Sequence, residues 1–230
     1  MTRKRKNGNG NNGQYTSTNK INKEFKAKTD GQAEYVRAMI ESDITICTGP
    51  AGTGKTACAV GLACEYLQRD KVQYIVVCRP VVETGRTGLG FLPGDMEQKI
   101  HPYMVPVLDE MYLYLGRANT ENKQKSGYIR IVPLEYMRGY NLHNSFIILD
   151  EAQNATKKQI KMLMTRIGRD SKLVLAGDIT QNDFNESITP LQICTERFVG
   201  VRGVSIVELH QEDIIRNKII WRILEKIPDF

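Results

Sequence analysis

Short runs of apolar, largely β-branched residues recur along the chain: ITICT at 44–48, QYIVVC at 73–78, IRIVPL at 129–134, FIILD at 146–150, KLVLAG at 172–177 and VSIVEL at 204–209. Each is bounded by turn residues and is apolar almost throughout, the pattern of a strand covered on both faces. Between these runs the period changes. Met96, Ile100, Met104, Val107, Leu108, Met111 and Leu115 keep helical spacing, as do Ile160, Leu163, Met164 and Ile167. Strand and helix in alternation predict an α/β fold, a mostly parallel sheet with helices on both faces in three layers. No internal repeat is visible. The stretch ETGRTGLGFLPGD (83–95) carries too many glycines for either element and reads as an ordered functional loop.

Residues 1–28 break the pattern. They are rich in Asn, Gly, Thr and Lys, with little to bury, and are expected to be a disordered tail ahead of a folded domain at 29–230. Eight basic side chains stand there against Glu24, whereas the other 202 residues hold 24 basic and 25 acidic ones. The net charge of +6 therefore belongs to the tail, which can act as an arm drawn to nucleic-acid phosphates or as a plain solvated extension.

Across 230 residues, no apolar run approaches the ~18 residues of a membrane span, and no apolar stretch follows the charged start as in a secretory signal. Five cysteines (Cys47, Cys58, Cys64, Cys78 and Cys194) form no CxxC pair and have no zinc-ligand spacing to the three histidines. Scattered through apolar runs, they read as free buried thiols of a cytoplasmic protein.

The chemistry begins after the first strand. Gly49, Pro50, Ala51, Gly52, Thr53, Gly54, Lys55 and Thr56 spell GPAGTGKT, followed by the helical stretch KTACAVGLACEYL. In that context the run is a P-loop: glycines let backbone N–H groups face phosphate oxygens, and the helix N-terminus adds positive charge. Lys55 can reach the outer phosphates and Thr56 can ligate Mg²⁺. FIILDEAQN then places Asp150 and Glu151 at a strand end. Asp150 suits the metal, and Glu151 suits a general base for the attacking water. A third strand, LVLAGDITQND, ends on Gly177 and Asp178, with Gln181 three residues on. In sheets of this type such a strand can lie between the other two, so that its tip faces the outer phosphate.

GPAGTGKT, LGFLPGD, ILDEAQN, TRIG, GDxxQxD and EDIIRN, in this order from about Gln32 to Arg216, resemble the PhoH-like ATPases. That family is similar to the first motor domain of superfamily-1 helicases, which implies a RecA-like P-loop NTPase fold binding ATP and Mg²⁺. The resemblance assigns Gln32 to adenine recognition and Gln181 to sensing the γ-phosphate. One departure is Asn217, where the family usually has histidine after the arginine.

The resemblance leaves the purpose of hydrolysis open between two classes. One is a nucleic-acid-dependent ATPase or helicase-like motor acting on single strands, RNA ahead of DNA, supported by the basic tail and by Arg79, Arg86 and Arg138 near the site. Tyr103, Tyr112 and Tyr114 share one helical stretch and read as core or interface, not as a base-stacking platform. The other class is an ATP-driven switch for protein assembly. One motor domain is expected, with a tail too short and polar for the nuclease domain to which some longer PhoH-like proteins are joined. The catalytic cation is therefore expected from the same fold or from a neighbouring copy. Resemblance to ring-forming P-loop ATPases implies a homo-oligomeric ring, a hexamer, with Arg216 the leading trans cation and Arg166 the second.

Overall fold

The computed structural model describes residues 24–80, 96–181 and 188–215. The glycine-rich loop expected at 83–95 lies outside them. Six strands form one sheet: β1 (Ile44–Thr48), β2 (Tyr74–Arg79), β3 (Ile129–Pro133), β4 (Ser145–Leu149), β5 (Lys172–Gly177) and β6 (Val204–Glu208). Their order is β3-β2-β4-β5-β1-β6 and every pairing is parallel. The sheet is thus wholly parallel. Strand limits fall within one residue of the sequence reading, which included Gln73, Leu134, Asp150 and Leu209, each just outside its strand.

Successive residues of the central strands enter opposite cores, which explains why their sequences are apolar throughout. Ile75 and Val77, Phe146 and Ile148, and Val174 and Ala176 belong to one cluster, together with residues of α1 (Asp30–Glu41), α2 (Lys55–Gln68) and α3 (Met96–Leu115). Val76 and Cys78, Ile147 and Leu149, and Leu173 and Leu175 belong to the other, with α5 (Lys157–Met164) and α6 (Pro190–Arg197). Three layers result.

Local signals set the helix limits. Thr156 caps α5 through a reciprocal bond with Gln159, and α5 ends at Met164, so Ile167 falls beyond it in a parallel bridge to Leu142. Between α3 and β3, helix α4 (Arg117–Lys125) follows Gly116 and buries only Thr120. Its polar composition left no apolar period to read.

Residues 24–28, assigned to the tail, depart from that expectation. Phe25 packs against the first core, its ring edge-on to Tyr114 with centroids 6.1 Å apart, and the Lys28 N–H donates to Gln32 Oε1 at 2.9 Å. One aromatic in a lysine-rich context is diluted in composition, yet its burial draws the neighbouring backbone onto the domain. All five cysteines are free and buried, and burial pushes the Cys58 and Cys64 thiols up to about 12. Among the described residues, no helix is long and apolar enough to cross a membrane.

Candidate active site

The carboxyl ends of β1, β4, β5 and β2 open onto one cavity of about 320 Å³, lined by Gly52, Lys55, Thr56, Arg79, Glu151 and Gln181 among others. A parallel sheet converges its strand ends in this way, and ligands of such folds bind there. The loop Gly49–Gly54 joins β1 to α2. Gly49 has φ 146°, and a Cβ there would stand 2.4 Å from the Leu209 carbonyl oxygen; Gly54 has φ 86°, and a Cβ would stand 2.5 Å from Gln32 Nε2. Any side chain at either position would displace the loop.

Lys55 Nζ donates to the carbonyls of Gly49 (2.6 Å) and Pro50 (2.9 Å), so the ammonium is held within the loop it serves. Burial lowers its pKa, and the fields of nearby acidic groups, Asp178, Glu151 and Asp150 among them, oppose that shift. Thr53 Oγ1 donates to Pro50 O at 2.9 Å and braces the same turn.

Asp150 is 3% exposed and both its oxygens are engaged. Thr56 Oγ1 donates to Oδ1 at 2.7 Å, and Arg79 Nη2 donates to Oδ2 at 2.8 Å. The adjoining hydroxyl and carboxylate are hard oxygen donors, the set that suits Mg²⁺. Glu151 follows in the left-handed region at φ 53°, a turn that costs a non-glycine residue about 1 kcal/mol and swings its carboxylate along the cavity wall. Arg79 Nη2 lies 3.3 Å from its Oε1, and Gln153 Nε2 donates to its Oε2 at 2.7 Å. Gln153 in turn accepts the Asp178 N–H at 3.0 Å, tying the Glu151 carboxylate to the tip of β5.

β5 lies between β4 and β1, as the sequence allowed. Asp178 Oδ1 accepts from the Thr180 N–H and hydroxyl at 2.9 and 2.6 Å, while its buried Oδ2 has no partner among the described residues. Gln181 is exposed at the cavity edge, held by a backbone bond to Asp178 O at 3.2 Å.

Gln32 is 2% exposed and sits against the loop, where its Nε2 donates to Thr53 O at 2.7 Å. The structure thus brings it to the loop backbone. Around it, Thr29 Oγ1 bonds to Asp213 Oδ1, the His210 N–H donates to Asp213 Oδ2 at 2.9 Å, and the Ile215 N–H reaches Gly52 O at 3.3 Å. Arg138 is exposed after the turn Leu134–Met137 and does not line the cavity. Arg166 lies at the amino-terminal edge of the sheet, its carbonyl accepting the Leu142 N–H at 3.1 Å, so it does not join this chain's own cavity. Tyr114 is buried and Tyr112 half-buried. Arg86, Tyr103, Arg216 and Asn217 fall outside the residues or side chains described.

Gln153, Thr180 and Asp213 were missed in the sequence. Gln153 stood inside the very string that carries Asp150 and Glu151, but its partner is fixed by strand order, which no local spacing shows.

A family model described as PhoH-like protein matches residues 24–227. A PhoH-like protein of Bacillus subtilis (strain 168) is 43% identical over 204 residues, covering 88% of this chain and 64% of the relative. Protein PhoH of Escherichia coli (strain K12) is 37% identical over 201 residues, covering 86% of this chain and 56% of that one. The chain spans less than two thirds of the length of either relative. Among solved structures, the large terminase of a thermophilic bacteriophage superposes with a TM-score of 0.56 at 10% identity, covering 85% of this chain and 49% of its own. The ADP complex of that terminase gives a TM-score of 0.53. At such identity the likeness is one of fold. Matched across all but its ends, with the P-loop site formed at the strand tips, the chain belongs to the PhoH-like protein family.

Proposed function

We propose that the protein hydrolyses ATP with Mg²⁺ in the cavity at the carboxyl edge of the sheet. The observation that carries this reading is the meeting of Thr56 and Asp150 at 2.7 Å, with Lys55 on one side and Glu151 on the other. The loop N–H groups and Lys55 would bind the phosphates, and Thr56 and Asp150 would hold Mg²⁺, which neutralises charge on the outer phosphates when bound. Glu151, oriented by Gln153, takes the proton of a water whose oxygen bonds to the γ-phosphorus. The bond from that phosphorus to the β–γ bridging oxygen breaks, and ADP leaves with the electron pair. Gln181, at the cavity edge, would read the γ-phosphate, and the family resemblance gives Gln32 the adenine. That a similarly folded terminase is known in complex with ADP supports a nucleotide in this place.

Turnover is coupled to single-stranded nucleic acid, RNA ahead of DNA. Support comes from the charge distribution, since the basic excess lies in residues 1–28 and the rest of the chain is near neutral. That near-neutrality also favours a second reading, a nucleotide-driven switch of protein assembly. ATP turnover measured with and without single-stranded RNA and DNA separates the two. Stimulation that is lost on removing residues 1–23 supports the first; rates indifferent to any polynucleotide support the second. On single strands each phosphate contact contributes a log–log salt slope of about −0.7, so the truncation should flatten the slope as well.

The working form is a homo-oligomeric ring, a hexamer, in which Arg216 of one copy serves the next, with Arg166 as second candidate. Mixing Arg216→Ala with Lys55→Ala subunits tests this. Recovery of turnover supports a trans arginine, and concentration-independent turnover by a monomer overturns it.

A further inference from the structure

The hydrolytic scheme leaves Arg79 without a task, although its guanidinium joins the two carboxylates that carry the chemistry. β2 and β4 are neighbours with Cys78 opposite Leu149, and the Asp150 N–H donates to Cys78 O at 2.9 Å. Arg79 and Asp150 therefore leave the sheet side by side and face the same cavity. Nη2 lies 2.8 Å from Asp150 Oδ2 and 3.3 Å from Glu151 Oε1, with the arginine side chain 18% exposed and that of Asp150 4%. An idle surface arginine is solvated, and a purely structural pair is closed off. This one borders the space that Lys55, Thr56 and Gln181 also border.

The contacts put Arg79 in competition with the site's other duties. Asp150 gives Oδ1 to Thr56 and Oδ2 to Arg79, so a metal held by Asp150 meets the guanidinium there. Glu151 gives Oε2 to Gln153 and Oε1 to Arg79, so a water approaching Oε1 meets it too. A group more negative than these carboxylates would draw the guanidinium off, and a triphosphate is one.

We propose that Arg79 is the γ-phosphate cation supplied by this chain itself. It rests on Asp150 and Glu151, excluding metal from them, and transfers to the γ-phosphoryl oxygens as nucleotide and Mg²⁺ bind together. Charge grows on those oxygens while the bond to the bridging oxygen breaks, and a planar fork of N–H donors matches them. The assignment rests on the ATPase reading but needs no neighbouring subunit.

The test uses the full chain with Arg79→Ala and Arg79→Lys, checked by thermal melting for an intact fold. Without nucleotide, Mn²⁺ titration followed by electron paramagnetic resonance should show Arg79→Ala binding the ion about tenfold or more tighter than the parent, because a cation competing for the same carboxylates is gone. Arg79→Lys should stay near the parent. With ATP and Mg²⁺, Arg79→Ala should lose about 10³-fold or more in kcat with nucleotide affinity retained, and Arg79→Lys should recover part of it. The same loss is expected at every protein concentration. Unchanged Mn²⁺ affinity, or a kcat within about threefold of the parent, overturns the assignment. Should the parent itself turn over no ATP, the ATPase reading falls alone, and the Mn²⁺ titration still decides whether Arg79 guards the carboxylates.

Discussion

At the amino-terminal edge of the sheet most polar side chains are tied to backbone; at the carboxyl-terminal edge a run of them is tied side chain to side chain. The first edge is a row of left-handed turns, with Asp70, Asn144 and Asp170 at φ 52°, 48° and 57°, each shortly before a strand. Their neighbours close the ladder, as when the Gln73 N–H donates to Asn144 O at 2.7 Å and the Leu173 N–H to Asp43 O at 2.8 Å. Side chains there serve the same end: Ser171 Oγ accepts the Ser145 N–H at 3.1 Å and donates to Leu142 O at 2.7 Å. At the second edge a continuous series runs from Thr56 through Asp150, Arg79, Glu151 and Gln153 to the Asp178 N–H. Cavity size does not separate the edges. A space of about 500 Å³ bordered by Tyr66, Lys71 and Arg169 lies at the amino-terminal edge, against about 320 Å³ at the other. What separates them is whether the polar partners can be exchanged for a ligand's.

The sharpest way to break this contrast is Glu151→Gln. The amide keeps the shape but takes no proton from water, so kcat should fall about 10²–10⁴-fold while ATP still binds. Steady-state turnover beside equilibrium binding of a fluorescent nucleotide reads both. Parent-like turnover would remove Glu151 from the role of base.

Next comes Gln153→Leu, which cuts the series without touching nucleotide. Releasing the Glu151 carboxylate from its fixed place should lower kcat by up to about 10²-fold with little change in KM. The Asp178 N–H it strands should also lower stability by about 1–3 kcal/mol. A stability loss without a kcat loss would make Gln153 a packing residue alone.

Ser171→Ala asks the same question of the other edge. It strands the buried Ser145 N–H, so chemical denaturation should show a loss of about 1–3 kcal/mol. Turnover per folded molecule should not move. If it does, the two edges are coupled and the contrast is weaker than drawn.

The smallest effect is a proton. Burial holds the Lys55 pKa below its usual value, and bound phosphates would raise it again. ATP binding should therefore take up a fraction of a proton, growing as pH climbs towards the lowered value. Calorimetry in buffers of different ionisation enthalpy measures it; proton release would contradict the shift. In the protein without ATP the folded pKa lies below the unfolded one, so the ammonium opposes folding at low and neutral pH. That cost fades as pH rises through the folded value and is gone above the unfolded one.

Motifs adjacent in the chain were legible, because a strand and its following turn carry their own signature. GPAGTGKT, Asp150 with Glu151, and the tip of β5 could all be placed from sequence. Contacts between those segments were not, since they depend on β2 and β5 flanking β4. Arg79 was visible as one of three cations near the site, with nothing to show which carboxylates it meets. Asp213 lay in EDIIRN, where the eye goes to the arginine, yet its carboxyl bonds to residues at both ends of the described fold.

That last arrangement has a mechanical reading. Towards one end of the described residues, Ile215 is a single hydrogen bond from Gly52; towards the other, Lys28 is two from Thr53, by way of Gln32. Asp213 staples the two ends together 184 residues apart in sequence. A pull on the chain at either side would thus reach the loop Gly49–Gly54. The described chain is cinched at the loop between β1 and α2.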